Sequence, residues 1–171
     1  MWDVIAGGTA AESLLWAEAL LPPGQQVREA VFSPLAPAEH RLALETIYEG
    51  YLLHYGSSRL FAPDSEDTAL LLGDHLYAHG LVRIAETGDV AAVADLAELI
   101  SLCAQGRAAE RDGDGAAWAA TAALLGAGGL DAAREALRLR DDPGALVTAA
   151  RETAGGEAVD AALAAHARLV G

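Results

Sequence analysis

The sequence has no lysine, a single cysteine, a single methionine and few aromatic side chains, and each shortage excludes something. Without lysine there is no Schiff-base nucleophile and no phosphate-loop lysine. Cys103 has no partner for an intramolecular disulfide, and its place in an apolar helical pattern predicts a buried, inert thiol. Aromatics make up 5% of a chain that is 53% hydrophobic, so the core is expected to consist of Ala, Leu and Val, a composition that favours closely packed helices. Cationic side chains are scarce too. The formal net charge of -14 argues against nucleic acid as a partner, because phosphate binding requires a basic face, and the same acidity repels anionic membrane surfaces. The start, Met1-Trp2-Asp3, lacks the basic region and apolar run of a signal peptide, and the longest uncharged stretch, 115–130, falls short of the roughly 18 apolar residues of a membrane span. These features predict a cytoplasmic protein with no membrane span.

At 171 residues the chain suits a single domain, expected to be all-α, with a central bundle over 38–110 and a lighter, Ala-rich set of C-terminal helices over 115–171. Thr9 with Glu12 three residues on reads as a capping box, opening a first helix that ends at Pro22-Pro23-Gly24. A short helix over 25–32 follows, then a proline-spaced turn over 33–37. The third helix is expected to start near Ala38 and end at Tyr55, with Gly56 just past its C-terminus. Ser65 caps a fourth helix that reaches Thr87-Gly88. Its internal Gly73 and Gly80, each costing about 1 kcal/mol relative to Ala, predict close approach of another backbone. Asp89 caps a fifth helix with Val93, Leu96, Ala97, Ile100 and Cys103 on one face, widened by Leu99 and Leu102. Residues 111–115 mark a boundary, beyond which shorter helices are expected over 116–125, 130–139, 143–154 and 157–170. Asp142-Pro143 reads as an N-cap and first-turn pair. In the last helix, Val159, Leu163, His166 and Val170 form a stripe that must dock on the bundle or on another chain.

The unusual side chains concentrate on the third and fourth helices. Glu45 and Glu49 are one turn apart, Tyr51 and His54 follow, and the next loop carries Arg59. The fourth helix adds Asp74, His75 and His79, with the two imidazoles also one turn apart. These eight residues are the candidate ligand-facing set; no catalytic role is assigned to any. Carboxylates and imidazoles so placed can hold a metal if the helices pack with these faces together. The Glu-x-x-His pair of di-iron bundles is absent, however, and His-x-x-x-His lacks the intervening Glu of zinc peptidases, so the pattern assigns no metal. The plainer expectation leaves Glu45, Glu49 and Arg59 in solvent, gives the histidines backbone or tyrosine partners, and hydrogen-bonds Asp74 to a neighbouring helix. Tyr48, Tyr51, Tyr55 and Tyr77 then serve as half-buried packing. Neither Ser57-Ser58 nor Ser101 lies in a nucleophile elbow, and the glycine pairs lack the strand-turn-helix setting of a phosphate loop.

Glu45-Thr46-Ile47-Tyr48 through Leu52-Leu53-His54-Tyr55-Gly56 resembles the helix of trans-polyprenyl diphosphate synthases that reads Glu-Leu-Ile-His and then Leu-Ile-His-Asp-Asp; Glu45, Ile47, Leu52 and His54 match. Leu72-Gly73-Asp74-His75-Leu76 resembles that family's Gly-Asp-x-Leu helix, continued by Ile84-Ala85-Glu86-Thr87-Gly88-Asp89. The resemblance implies part of the all-α isoprenoid synthase fold. Where the family's first aspartate-rich motif would begin, this chain has Tyr55-Gly56, so the carboxylates that hold magnesium against an allylic diphosphate are missing. Arg59 stands alone where the family carries paired arginines, Asp141-Asp142-Pro143 lacks the later carboxylate of a second aspartate-rich helix, and the diphosphate-binding lysines have no counterpart.

The resemblance therefore implies a truncated, non-catalytic binding or regulatory subunit. It would act as a homodimer or as a heteromer with a catalytic subunit, with an isoprenoid as the expected small-molecule ligand in an apolar cavity. No cofactor is expected, magnesium entering only if a degenerate diphosphate site survives. The competing expectation is a small metal-binding bundle enzyme using Glu45, Glu49, His54, Asp74, His75 and His79, and an unrelated helical interaction protein is the third.

Overall fold

The computed structural model describes residues 1–170, and among these the regular elements are helical apart from one isolated bridge between Leu20 and Phe61. The α-helices are α1 (Trp2–Glu12), α2 (Leu14–Ala19), α3 (Arg41–Tyr55), α4 (Glu66–Glu86), α5 (Val90–Ala108), α6 (Asp114–Ala123), α7 (Asp131–Arg140), α8 (Gly144–Ala154) and α9 (Gly156–Val170). The all-α expectation holds, and no helix among the described residues is long and apolar enough to cross a membrane.

Two of the expected caps form. Ser65 Oγ accepts from Thr68 N at 3.2 Å, and Asp89 Oδ1 accepts from Ala92 N at 2.9 Å. The capping box at Thr9 does not. Thr9 lies buried inside α1 with Ile5 and Ala6, because that stripe packs inward, and the cap of the next helix is Ser13, whose Oγ accepts from Leu15 N. The short helix over 25–32 is absent as well. Only a 3₁₀ turn forms at Pro23–Gln25, and the following amides are held by distant acceptors: Val27 N donates to Arg59 O at 3.0 Å, and Val31 N and Ser33 N donate to Glu45 at 3.2 and 3.3 Å. Tertiary hydrogen bonds here replace helical ones. A 3₁₀ turn over Ala38–His40 precedes α3, and Asp142 accepts from Gly144 N, so α8 starts one residue later than the Asp-Pro pair implies.

The centre of the fold is the antiparallel pair α3 and α4. Glycines set their separation: a Cβ on Gly80 would lie 2.2 Å from Ile47 Cγ1, and one on Gly73 would lie 2.6 Å from His54 Nε2. This is the close approach that Gly73 and Gly80 predict. On one side, α3 joins α5, α6, α8 and α9 in the main core. The Ala-rich C-terminal helices are part of that core, with α6 buried from Gly115 through Thr121 to Ala122 and Trp118 stacked on Phe32 at 5.7 Å. The stripe of α9 docks within the chain: Val159 and His166 are buried, with Leu163 and Val170 packed beside them. On the other side, α1 and α2 cover a smaller core formed by Ile5, Ala6, Ala19, Leu60, Phe61, Leu72 and Leu76.

Candidate functional site

Glu45 and Glu49 are not solvated. They are 1% and 0% exposed, and Arg59, also expected in solvent, is 1% exposed between them. Arg59 Nε donates to Glu49 Oε2 at 2.9 Å, its Nη1 lies 2.9 Å from Glu45 Oε2, and the same nitrogen donates to Glu29 O at 2.7 Å. Glu49 Oε1 also accepts from Ser58 Oγ, Arg59 N and Leu60 N at 2.6, 2.8 and 2.9 Å. Each glutamate thus pins one loop to α3, Glu45 the segment before it and Glu49 the segment after it. The guanidinium lies 4.9 Å from the Trp2 ring and 5.0 Å from the Tyr48 ring, a cation–π arrangement with each. Burial opposes its charge, but the two carboxylates outweigh burial and raise its pKa.

Tyr51 faces the main core. Its hydroxyl donates to Asp114 and accepts from Arg107 Nη2 at 2.9 Å. Nearby, Tyr48 OH and His166 Nδ1 share a hydrogen bond of 2.9 Å, and His166 Nε2 approaches Asp114 at 3.4 Å. Burial raises both tyrosine pKa values. For Asp114 burial acts in the same direction, but His166, Tyr51 and Arg107 outweigh it and hold the carboxyl below the usual range. The network stitches α3, α5, α6 and α9 together.

His54 Nε2 lies 3.2 Å from Asp74 Oδ1 across the α3–α4 seam, and its ring stacks on Tyr77 at 5.1 Å. Asp74 therefore does meet a neighbouring helix. Burial lowers the His54 pKa against the opposing pull of Asp74. His75 and His79 take neither backbone nor tyrosine partners. Both turn outward to Glu12 of α1, whose Oε2 lies 3.4 Å from His75 Nε2 and 3.2 Å from His79 Nε2. Among the described residues this trio is the group of His, Cys and acidic side chains whose donor atoms all fall within 4.8 Å of one another.

The eight candidate residues thus divide among separate environments: Glu45, Glu49 and Arg59 in a closed triad, Tyr51 in the core network, His54 and Asp74 in a seam pair, and His75 and His79 at the α1 interface. The set does not converge on one cavity. A cleft between α5 and α7 with a cavity volume of only about 20 Å³ is lined by Leu102, Cys103, Leu137, Arg111, Asp114 and Arg138 among others, and by none of the eight. In the sequence Glu12 reads as the second half of a capping box with Thr9, and nothing local places it beside a helix more than sixty residues later. Comparison with family models, with curated proteins and with solved structures returned no match.

Proposed function

We propose that this chain is a non-catalytic helical subunit, similar to a truncated polyprenyl diphosphate synthase, that works by packing against a catalytic partner of that class. The outer face of α4 supports the reading. Leu71 and Val82 are 58% and 57% exposed on one face with the exposed Ala78 and Ala85, giving the longest helix an uncovered row of apolar side chains that Asp74 interrupts. The chemistry of the remaining candidates agrees. Glu45 and Glu49 face Arg59 and two loops, and Tyr55-Gly56 stands where a diphosphate-binding chain needs magnesium ligands. Such a chain contributes shape and surface, and its charge of -14 suits a partner whose apolar face has a basic rim.

The test is light-scattering chromatography of this chain with a full-length polyprenyl diphosphate synthase from the same source. A 1:1 complex is expected, lost in Leu71→Asp and Val82→Asp, which replace exposed side chains and leave the unfolding midpoint of the isolated chain unchanged. A mixture that elutes as separate species at high micromolar concentration sinks the reading. If this chain alone elutes as a dimer that Leu71→Asp dissolves, the stripe belongs to a second copy.

A further inference from the structure

We infer that Glu12, His75 and His79 form a binding site for a divalent transition metal of the zinc class, and that the bound ion ties the N-terminal helices to α4. The donor set is two imidazole nitrogens and one carboxylate oxygen, which suits zinc and its neighbours better than magnesium or calcium, whose preferred donors are oxygen. Two of the three donor spacings fit a shared ion, and all three donor atoms lie within 4.8 Å of one another. Zinc bonds of about 2.0–2.2 Å in a tetrahedron place neighbouring donors about 3.3–3.5 Å apart. Glu12 Oε2 lies 3.4 and 3.2 Å from the two Nε2 atoms. Three protein donors leave a fourth position for water.

The alternative occupant of this space, a set of hydrogen bonds, is not realised at His75. Its Nε2 is shielded from solvent and has no hydrogen-bond partner, although it faces Glu12. The two rings sit on successive turns of α4 with centroids 4.3 Å apart, and Trp16 of α2 covers His75 at 5.4 Å.

The tie follows from where Glu12 sits. It is the last residue of α1, a helix with Gly7 and Gly8 in its interior, no side-chain cap at its start, and only Ile5, Ala6 and Thr9 buried. Glycine weakens a helix interior, and a carboxylate at a helix C-terminus opposes the macrodipole. A cation held between Glu12 and the rigid α4 reverses the second penalty and fastens the weak helix.

Isothermal titration of the intact chain with zinc near neutral pH tests the site, and hydrogen exchange with and without zinc tests the tie. One equivalent is expected to bind, with affinity falling at least about tenfold in His79→Ala and in Glu12→Gln, both part-exposed positions whose loss leaves the fold intact. At zinc 100 times its Kd, amides of α1 that open only on release of Glu12 exchange about 100-fold more slowly, while those of α6 are unchanged. No 1:1 isotherm, or equal affinity in His79→Ala, overturns the site. Normal binding with equal affinity in Glu12→Gln and unaltered α1 exchange overturns the tie.

Discussion

Arg59 places one positive charge between two carboxylates where water does not reach, so removing it leaves Glu45 and Glu49 facing each other unpaired. Breaking a buried pair in this way costs about 3–5 kcal/mol. Arg59→Met, which keeps an apolar stem of similar length and removes the charge, is expected to lose that much in urea unfolding at neutral pH. A loss under about 1 kcal/mol, the range of exposed pairs, would contradict the burial. Of this triad the sequence shows half. The one-turn spacing puts Glu45 and Glu49 on a common face, but it does not reveal that the loop after α3 folds back to lay Arg59 over them. The same holds for Glu12, His75 and His79. An i, i+4 histidine pair is visible in the sequence, and its third donor comes from a helix whose position depends on long-range packing. Local patterns specify faces; which faces meet is decided by the rest of the chain.

Element boundaries are legible at Ser65 and Asp89, whereas the equally local capping pattern at Thr9 falls inside a helix and the cap forms at Ser13 instead. Ser65 and Asp89 cap their helices because each accepts from an amide three residues on, a contact written entirely in local sequence. The segment 25–32 was not legible, since its amides bond to Arg59 and Glu45, and no local pattern announces an acceptor on another element. The glycines separate these two kinds of information. Gly8 and Gly80 both interrupt helices, and by propensity alone Ala would improve each by about 1 kcal/mol. Their surroundings decide otherwise. No atom lies within 4 Å of a Cβ built on Gly8, whereas one on Gly80 meets Ile47 Cγ1 at 2.2 Å and Ala43 O at 2.9 Å. Gly8→Ala is therefore expected to stabilise by about 1 kcal/mol, and Gly80→Ala to destabilise by about 1–3 kcal/mol through overpacking of the α3–α4 seam. Denaturation midpoints of the two variants moving in the same direction would refute this account of the seam.

For the molecule as a whole, the placement of charge bears on ligands more than the fold does. The chain carries 11 arginines and no lysine against 25 acidic residues, and Arg59, in the loop after α3, is enclosed with its carboxylates. A diphosphate needs cations it can reach, from side chains or from magnesium held by exposed carboxylates. To supply Arg59 the protein would have to open its triad, leaving the buried Glu45 and Glu49 without their cation, at a cost larger than the contact returned. Farnesyl diphosphate is thus expected to leave the thermal unfolding midpoint unchanged, with magnesium and without. The measurement discriminates well, because a ligand at 100 times its Kd adds about 2.7 kcal/mol, far above the resolution of a melting curve. A magnesium-dependent rise would mean that a diphosphate site survives without the usual aspartates, and the non-catalytic reading would fall. A magnesium-independent rise would instead identify an apolar tail site, compatible with a partner subunit that helps to hold the growing chain.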